Sequence, residues 1–290
     1  MRYKNSMMEK HFILVCYMVI SILSLFQVNH YAQNLFNNPE SAVFDASRNR
    51  YIVSNWGDGS IVQIDSNGNQ SYFSTELQYV YKVAGLYIYN DTLLAASGDT
   101  LKSDSTGTGL TGFIIDTGEI IFHIPIPGIG LPNDITSDKE GIIYLTDYWG
   151  NRLYKIENRK PSVFIRQNLN YPNGILYDNE QNRLLILSVG GVNAPILAVN
   201  LPDTTLYVVI ETGFVQGLDG IDMDNEGRIY VSEWGGDAVY RIDKNIKGRP
   251  SLFSKEHNDP ADIYIDKTNN ILVVPNFSSN TVDFIPINNN

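Results

Sequence analysis

The strongest constraint in this sequence is that it repeats itself. PESAVFDASRNRYIVSNWGDGSIVQID begins at Pro39, PNDITSDKEGIIYLTDYWGNRLYKIE at Pro132, LDGIDMDNEGRIYVSEWGGDAVYRID at Leu218 and PADIYIDKTNNILVVPNFSSNTVDFIP at Pro260. Two looser copies, VAGLYIYNDTLLAAS and PNGILYDNEQNRLLILSVGG, begin at Val83 and Pro172. All follow one grammar. An alternating segment leads to an Asp- or Asn-rich turn such as Asp138–Gly141, then a β-rich run, a Gly-rich turn such as Trp149-Gly150-Asn151, and two more extended runs. Period-two alternation bounded by turn residues marks half-buried strands. Four strands per unit, recurring about every 45 residues, mark a propeller blade. Six copies predict an all-β, six-bladed β-propeller with four antiparallel strands per blade over residues 33–290. The last copy holds three strands, so Gln33–Asn38 is expected to supply the fourth strand of the last blade and close the ring. Such closure would remove an exposed sheet edge.

Composition agrees with this reading. Hydrophobic residues make up 43% of the chain and charged residues 18%, enough for a core and too little charge for disorder. Eighteen Tyr and twelve Phe favour strands. The formal net charge of −11 repels phosphate backbones and argues against a nucleic-acid partner.

Residues 1–32 read differently. Arg2, Lys4 and Lys10 precede an apolar run from Phe12 to Phe26, and polar residues follow to Ala32. The run falls short of the roughly 20 apolar residues of a membrane span, and the order of segments is that of a signal peptide. The expectation is a secreted or periplasmic protein with no membrane span after signal cleavage. Cys16, the only cysteine, lies in this segment. The remainder therefore has no disulfide, Cys nucleophile or thiolate metal ligand.

In a propeller the innermost strand of every blade starts at one face, beside the central channel. The residue after each leading Pro, Leu or Val marks that start: Glu40, Ala84, Asn133, Asn173, Asp219 and Ala261. Four of these anchors carry oxygen donors, and two are carboxylates. Asp and Asn also begin strands simply to satisfy local N–H groups, but four such residues aimed at one axis suit a hard cation.

The segments PNDI, YPNGILYD and LDGIDMDNEGRIYVSEWGG resemble the regucalcin/gluconolactonase family of six-bladed propellers, with NHL-type repeat character. The resemblance runs from Pro39 to about Pro286. It implies one divalent cation at the channel, with Ca²⁺ first and Mg²⁺, Mn²⁺ or Zn²⁺ as alternatives, held by Glu40, Asn173 and Asp219. It further implies that Asn133 lines the substrate pocket and that Asp219 also acts in catalysis. The first blade reads Glu40-Ser41-Ala42 where the family commonly has EGP. The implied activity is metal-dependent hydrolysis of a small lactone or ester, with a sugar lactone as the implied substrate. Two other readings stand beside it: an NHL-type propeller that binds a glycan, a peptide or an envelope protein, and a structural propeller whose cation only ties blades together.

Trp56, Trp149 and Trp234 are read as one repeat position, on the anchors' face but further out. They are either an aromatic rim for a ligand or packing between blades, and their threefold recurrence favours packing. Ser103–Gly112 reads as a polar loop. No paired histidines, Gly-x-Ser-x-Gly elbow or phosphate-cradling glycine loop is present, and no organic cofactor is expected.

Overall fold

The structure is a computed structural model, and it describes residues 33–74, 80–98, 107–190, 193–214, 217–244, 246 and 248–288. The export signal expected over residues 1–32 lies outside the described residues. Among the described residues no helix is long and apolar enough to cross a membrane.

Each repeat folds as one antiparallel sheet whose strands follow in chain order. Blade one holds β1 (Pro39–Asp45), β2 (Arg50–Asn55), β3 (Ile61–Ile64) and β4 (Gln70–Tyr72). Blade two holds β5 (Val83–Tyr89), β6 (Thr92–Ser97), β7 (Gly109–Ile114) and β8 (Ile120–Pro125). Blade three holds β9 (Pro132–Ser137), β10 (Ile143–Asp147), β11 (Arg152–Glu157) and β12 (Lys160–Ile165). Blade four holds β13 (Pro172–Asp178), β14 (Arg183–Ser188), β15 (Pro195–Asn200) and β16 (Leu206–Glu211). Blade five holds β17 (Leu218–Met223), β18 (Ile229–Glu233), β19 (Ala238–Ile242) and β20 (Ser251–Lys255). Blade six holds β21 (Tyr264–Asp266), β22 (Ile271–Asn276) and β23 (Thr281–Pro286). The inner strands β1, β5, β9, β13, β17 and β21 neighbour one another in turn, and β21 returns to β1. The chain is therefore an all-β, six-bladed propeller.

The Asp-rich turns have a repeated cause. Asp138 Oδ1 accepts from the Glu140 and Ile142 N–H groups while Oδ2 accepts from the Tyr144 hydroxyl. Asp224 does the same for Glu226, Arg228 and Tyr230. The turn carboxylate also pairs with an arginine in blades one, four and five, Asp45 with Arg50, Asp178 with Arg183 and Asp224 with Arg228. Such Asx-type bonds stand in for backbone partners the turn lacks.

Apolar packing lies between blades. Val43, Ile52 and Ile61 meet Leu86, Leu93 and Phe113 of blade two, and comparable clusters fill each later interface among the described residues. At about 25 cal/mol per Å² of apolar area, these interfaces are the main term holding blade to blade.

Ring closure departs from expectation. Blade six has three strands, and the segment expected as its fourth, Gln33–Asn38, forms no ladder. Asn38 takes a left-handed backbone, φ 51°, which breaks an extended run. The asparagines bond the blade-six turn instead: Asn34 Nδ2 donates to the Asn280 carbonyl, Asn38 Nδ2 to that of Phe277, and the Asn38 N–H to Asn280 Oδ1. The ring is closed by packing of Ala42, Val53 and Ile64 on Val273. The Tyr51 hydroxyl adds a bond to the buried Asp266 carboxylate at 2.8 Å.

The polar loop expected over Ser103–Gly112 is shorter than that. Strand β7 begins at Gly109, with Leu110 and Thr111 buried opposite Ala96 and Ala95. Gly112 lies under the Phe122 ring, where a Cβ would collide. Residues 103–106 lie outside the described residues.

Candidate functional site

Four of the six anchors, Glu40, Asn133, Asn173 and Asp219, line the mouth of the channel. In blades one to five the anchor is the second residue of the inner strand, at a break in register against the second strand: between Pro39 and Ala42, Val83 and Leu86, Pro132 and Ile135, Pro172 and Ile175, and Leu218 and Ile221. A bulge re-aims the side chain at that point. Hydroxyls from the second strands take up backbone groups the bulge leaves unpaired. Ser54 Oγ accepts from Ser41 N–H and donates to the Ala84 carbonyl of the next blade. Ser232 Oγ does the same between Gly220 and Ala261. The glycine after three anchors allows the inner strands to close on one another: a Cβ on Gly85 would collide with the Asn133 carbonyl. A Cβ on Gly174 would collide with the Asp219 carbonyl, and one on Gly220 with the backbone of Ile263. The PNG and LDG sequences are thus packing requirements that also fix where Asn173 and Asp219 point.

Glu40, Asn133, Asn173 and Asp219 line one cavity of about 240 Å³. They are 4–7% exposed. Each nonetheless has a buried oxygen without a hydrogen-bond partner: Glu40 Oε2, Asn133 Oδ1, Asn173 Oδ1 and Asp219 Oδ1. An unpaired buried polar atom costs about 1–3 kcal/mol, so four in one cavity are a chemical demand on whatever fills it. Asn173 Nδ2 donates to Asp219 Oδ2 at 2.9 Å, which orients both side chains. The structure therefore brings together all the site residues expected from sequence, while Ala84 and Ala261 are buried small residues between blades.

The electrostatics favour a positive ion. Burial, then the charges of Asp219, Asp262 and Asp134, pushes the Glu40 carboxyl well above its usual range. Burial and the Asp262 charge push Asp219 up to about 8, against the Asn173 amide that lowers it. An opposite charge in contact reverses both effects. Among the described residues no group of three or more His, Cys, Asp or Glu gathers as for a metal. The donors here are two carboxylates and two amide oxygens, all hard. That set fits Ca²⁺, Mg²⁺ or Mn²⁺, which take oxygen ligands, better than Zn²⁺.

Below the mouth, a second layer of acids lines a channel cavity of about 230 Å³. Asp134 Oδ2 accepts from the Ile175 N–H and Asp222 Oδ2 from the Ile265 N–H, each reaching the following blade at 2.7 Å. Asp262 Oδ2 accepts from Ser41 Oγ at 2.6 Å. Burial raises all three, Asp134 to about 7. Sequence reading missed them, although Asp134 and Asp262 directly follow anchors.

The aromatic ring was misplaced by one residue. Trp56, Tyr148 and Trp234 are the equivalent positions, because their N–H groups make the same bond to the residue before the inner strand: Asn38, Leu131 and Gly217. Phe277 is their counterpart in blade six. These four line the cavity and so form a rim, and the favoured expectation of packing between blades also holds at one boundary, where the Trp234 and Phe277 ring centroids stand 4.8 Å apart. Trp149 lies outside it and is 55% exposed. Lys82 Nζ lies 4.9 Å from the Trp56 ring centroid.

A Ser–His–Asp cluster lies in the last two blades. His257 Nε2 meets Ser254 Oγ, and Nδ1 meets Asp283 Oδ2, both at 3.0 Å. Ser254 lines neither the mouth cavity nor the channel beneath it. The buried His257 ties β20 to β23.

Among curated proteins none matches the chain by sequence. Residues 126–249 match the family model of the SMP-30/Gluconolactonase/LRE-like region. Among solved structures, a gluconolactonase from Xanthomonas campestris superposes with a TM-score of 0.71 at 15% identity, covering 88% of each chain. The calcium-binding protein regucalcin from Agrobacterium tumefaciens gives 0.64 at 20%, covering 81% of each. A virginiamycin B lyase from Staphylococcus aureus gives 0.59 at 19%, covering 87% of this chain and 85% of its own. At such identities these structures speak to the fold alone. The chain is thus similar to the SMP-30/gluconolactonase/LRE-like family, in sequence over residues 126–249 and in fold over most of the propeller.

Proposed function

We propose that this protein is a metal-dependent hydrolase of a small lactone or ester. The observation that carries the reading is the convergence of four buried, unpartnered oxygens, from Glu40, Asn133, Asn173 and Asp219, on one cavity at the channel mouth. Glu40, Asn173 and Asp219 would hold one divalent cation. Three protein donors leave room for water and substrate on an ion that accepts six to eight oxygens. When bound, the cation supplies carbonyl polarisation and a water of lowered pKa.

The chain's own groups do the rest. Asp219 accepts a proton from the attacking water as its oxygen bonds to the carbonyl carbon. The ring C–O bond then breaks, and the departing oxygen takes that proton back, so lactone and water become the hydroxy acid. Asn133 orients the substrate from across the floor. The Tyr148 hydroxyl, whose pKa burial and the nearby Asp219 charge both raise, stays protonated at neutral pH and serves as a donor at the wall. On the reading of residues 1–32 as an export signal, the enzyme works outside the cytoplasm.

The test is hydrolysis of a panel of aliphatic, aromatic and sugar lactones, with and without chelator. Expected is turnover that chelator abolishes and that Asp219→Ala lowers by at least about a hundred-fold, as loss of a positioned base does. Turnover indifferent to chelator, or unchanged in Asp219→Ala, would sink the reading.

A further inference from the structure

The floor and wall of the mouth cavity differ in chemistry. The four anchors supply the polar floor. The described wall is Trp56, Leu131, Tyr148, Val189, Trp234 and Phe277. Beside Gly217, these six side chains are apolar or aromatic, and their only polar atoms are one phenol hydroxyl and two indole N–H groups. A polyhydroxylated ring needs a partner for each hydroxyl it buries, and each one left unpaired weakens binding by about ten-fold or more. This wall does not offer those partners among the described residues.

The aromatic surface also continues outward. The Tyr148 ring lies 5.1 Å from Trp149 and 5.5 Å from Tyr171, which themselves stand 6.1 Å apart edge to face. Tyr171 is 42% and Trp149 55% exposed. Two large aromatic side chains open to solvent beside an apolar cavity wall mark a contact surface for something apolar. The cavity of about 240 Å³ is smaller than the roughly 300–1,000 Å³ of drug-sized ligand sites. A substrate longer than it would leave along this step.

We infer that the substrate is a lactone or ester with an apolar alkyl or aryl body, an inference that rests on the hydrolase reading above. The carbonyl meets the polar floor, the body lies between Trp56, Trp234 and Phe277, and the far end rests on Tyr171 and Trp149. This departs from the sugar lactone implied by the family resemblance. Apolar bodies gain from such walls by leaving water, whereas sugar hydroxyls lose partners there.

The experiment has two arms on the full chain supplied with Ca²⁺. One measures kcat/KM for δ-decalactone, dihydrocoumarin and gluconolactone. The other follows tryptophan fluorescence during titration with an alkyl cyclopentanone, which has the carbonyl and the apolar body but no cleavable ester, and with glucose. Expected is a preference for both apolar lactones of at least about ten-fold over gluconolactone, a raised KM for δ-decalactone in Tyr171→Ala, and a fluorescence change with the ketone alone. Gluconolactone hydrolysed as well as or better than the apolar pair overturns the apolar body and leaves the hydrolase standing. A response to the ketone but not to glucose, with no lactone hydrolysed, keeps the ligand class and removes the hydrolase. No hydrolysis and no ketone response overturns both.

Discussion

Asn173 Nδ2 donates to Asp219 Oδ2 at 2.9 Å, and this bond between neighbouring blades leaves Asn173 Oδ1 and Asp219 Oδ1 without a protein partner. One contact therefore both fixes two side chains and leaves one oxygen on each available. Asn173→Ala removes a ligand and the restraint on Asp219 together. Calorimetric titration should show divalent-cation affinity falling at least about ten-fold, the scale set by loss of orienting partners at metal sites.

Glu40 is a buried carboxyl whose charge is opposed by burial and by three neighbouring acids. Glu40→Gln keeps its shape and deletes that charge. Without added metal at neutral pH, the variant should melt no lower than the parent. Addition of Ca²⁺ at about a hundred times its Kd should stabilise the parent by about 2.7 kcal/mol and the variant by much less. Thermal unfolding with and without cation checks both halves.

Closure of the ring rests in part on Tyr51, whose hydroxyl donates to the fully buried Asp266 of the last blade and whose ring lies 4.8 Å from Phe284. Tyr51→Phe leaves the ring in place and takes one donor from a buried carboxylate. Denaturant unfolding should register a loss of about 1–3 kcal/mol. The remaining Asp266 bonds, from Thr268 and Asn269, stay within their own turn and do not replace it.

Away from the site, burial alone would raise the Asp45 carboxyl. The Ser47 hydroxyl and the guanidinium groups of Arg50 and Arg48 overcome that and hold it below its ordinary value of 3.8. A carboxyl depressed by folding binds protons less tightly in the native than in the unfolded chain. Its contribution is therefore complete above about pH 4 and is lost as pH falls through the lower native value. Asp45→Asn should lower stability at pH 7 and flatten its decline below about pH 4, read as unfolding free energy against pH.

Much of this was legible in the sequence because a repeat reports position as well as structure. Once PNDI, PNG and LDG are aligned, Asn133, Asn173 and Asp219 must occupy equivalent places near the axis, and the structure gathers them with Glu40 in one cavity. The aromatic wall was harder to read. Trp149 sits beside Tyr148, both are large aromatics, and only the backbone bond from Tyr148 N–H to Leu131 shows which one faces inward. The likeness of Asn276-Phe277 to Asn55-Trp56 was a usable signal for the blade-six wall. Leu131 and Val189 gave no such signal, since apolar residues beside a cavity look like core. Closure failed as a prediction because Asn34 and Asn38 spend their amides on the Phe277–Asn280 turn, and the φ of Asn38 breaks extension; neither is visible in an alternation pattern.

The proposed chemistry depends on what the four unpartnered oxygens hold. The most direct measurement is anomalous diffraction from a crystal of the full chain grown with Mn²⁺. The predicted result is one strong peak in the channel-mouth cavity, within ligand distance of Glu40, Asn173 and Asp219, and its disappearance in Asp219→Ala. No peak there at millimolar Mn²⁺, or a peak only among the Asp134, Asp222 and Asp262 carboxylates below, would contradict it.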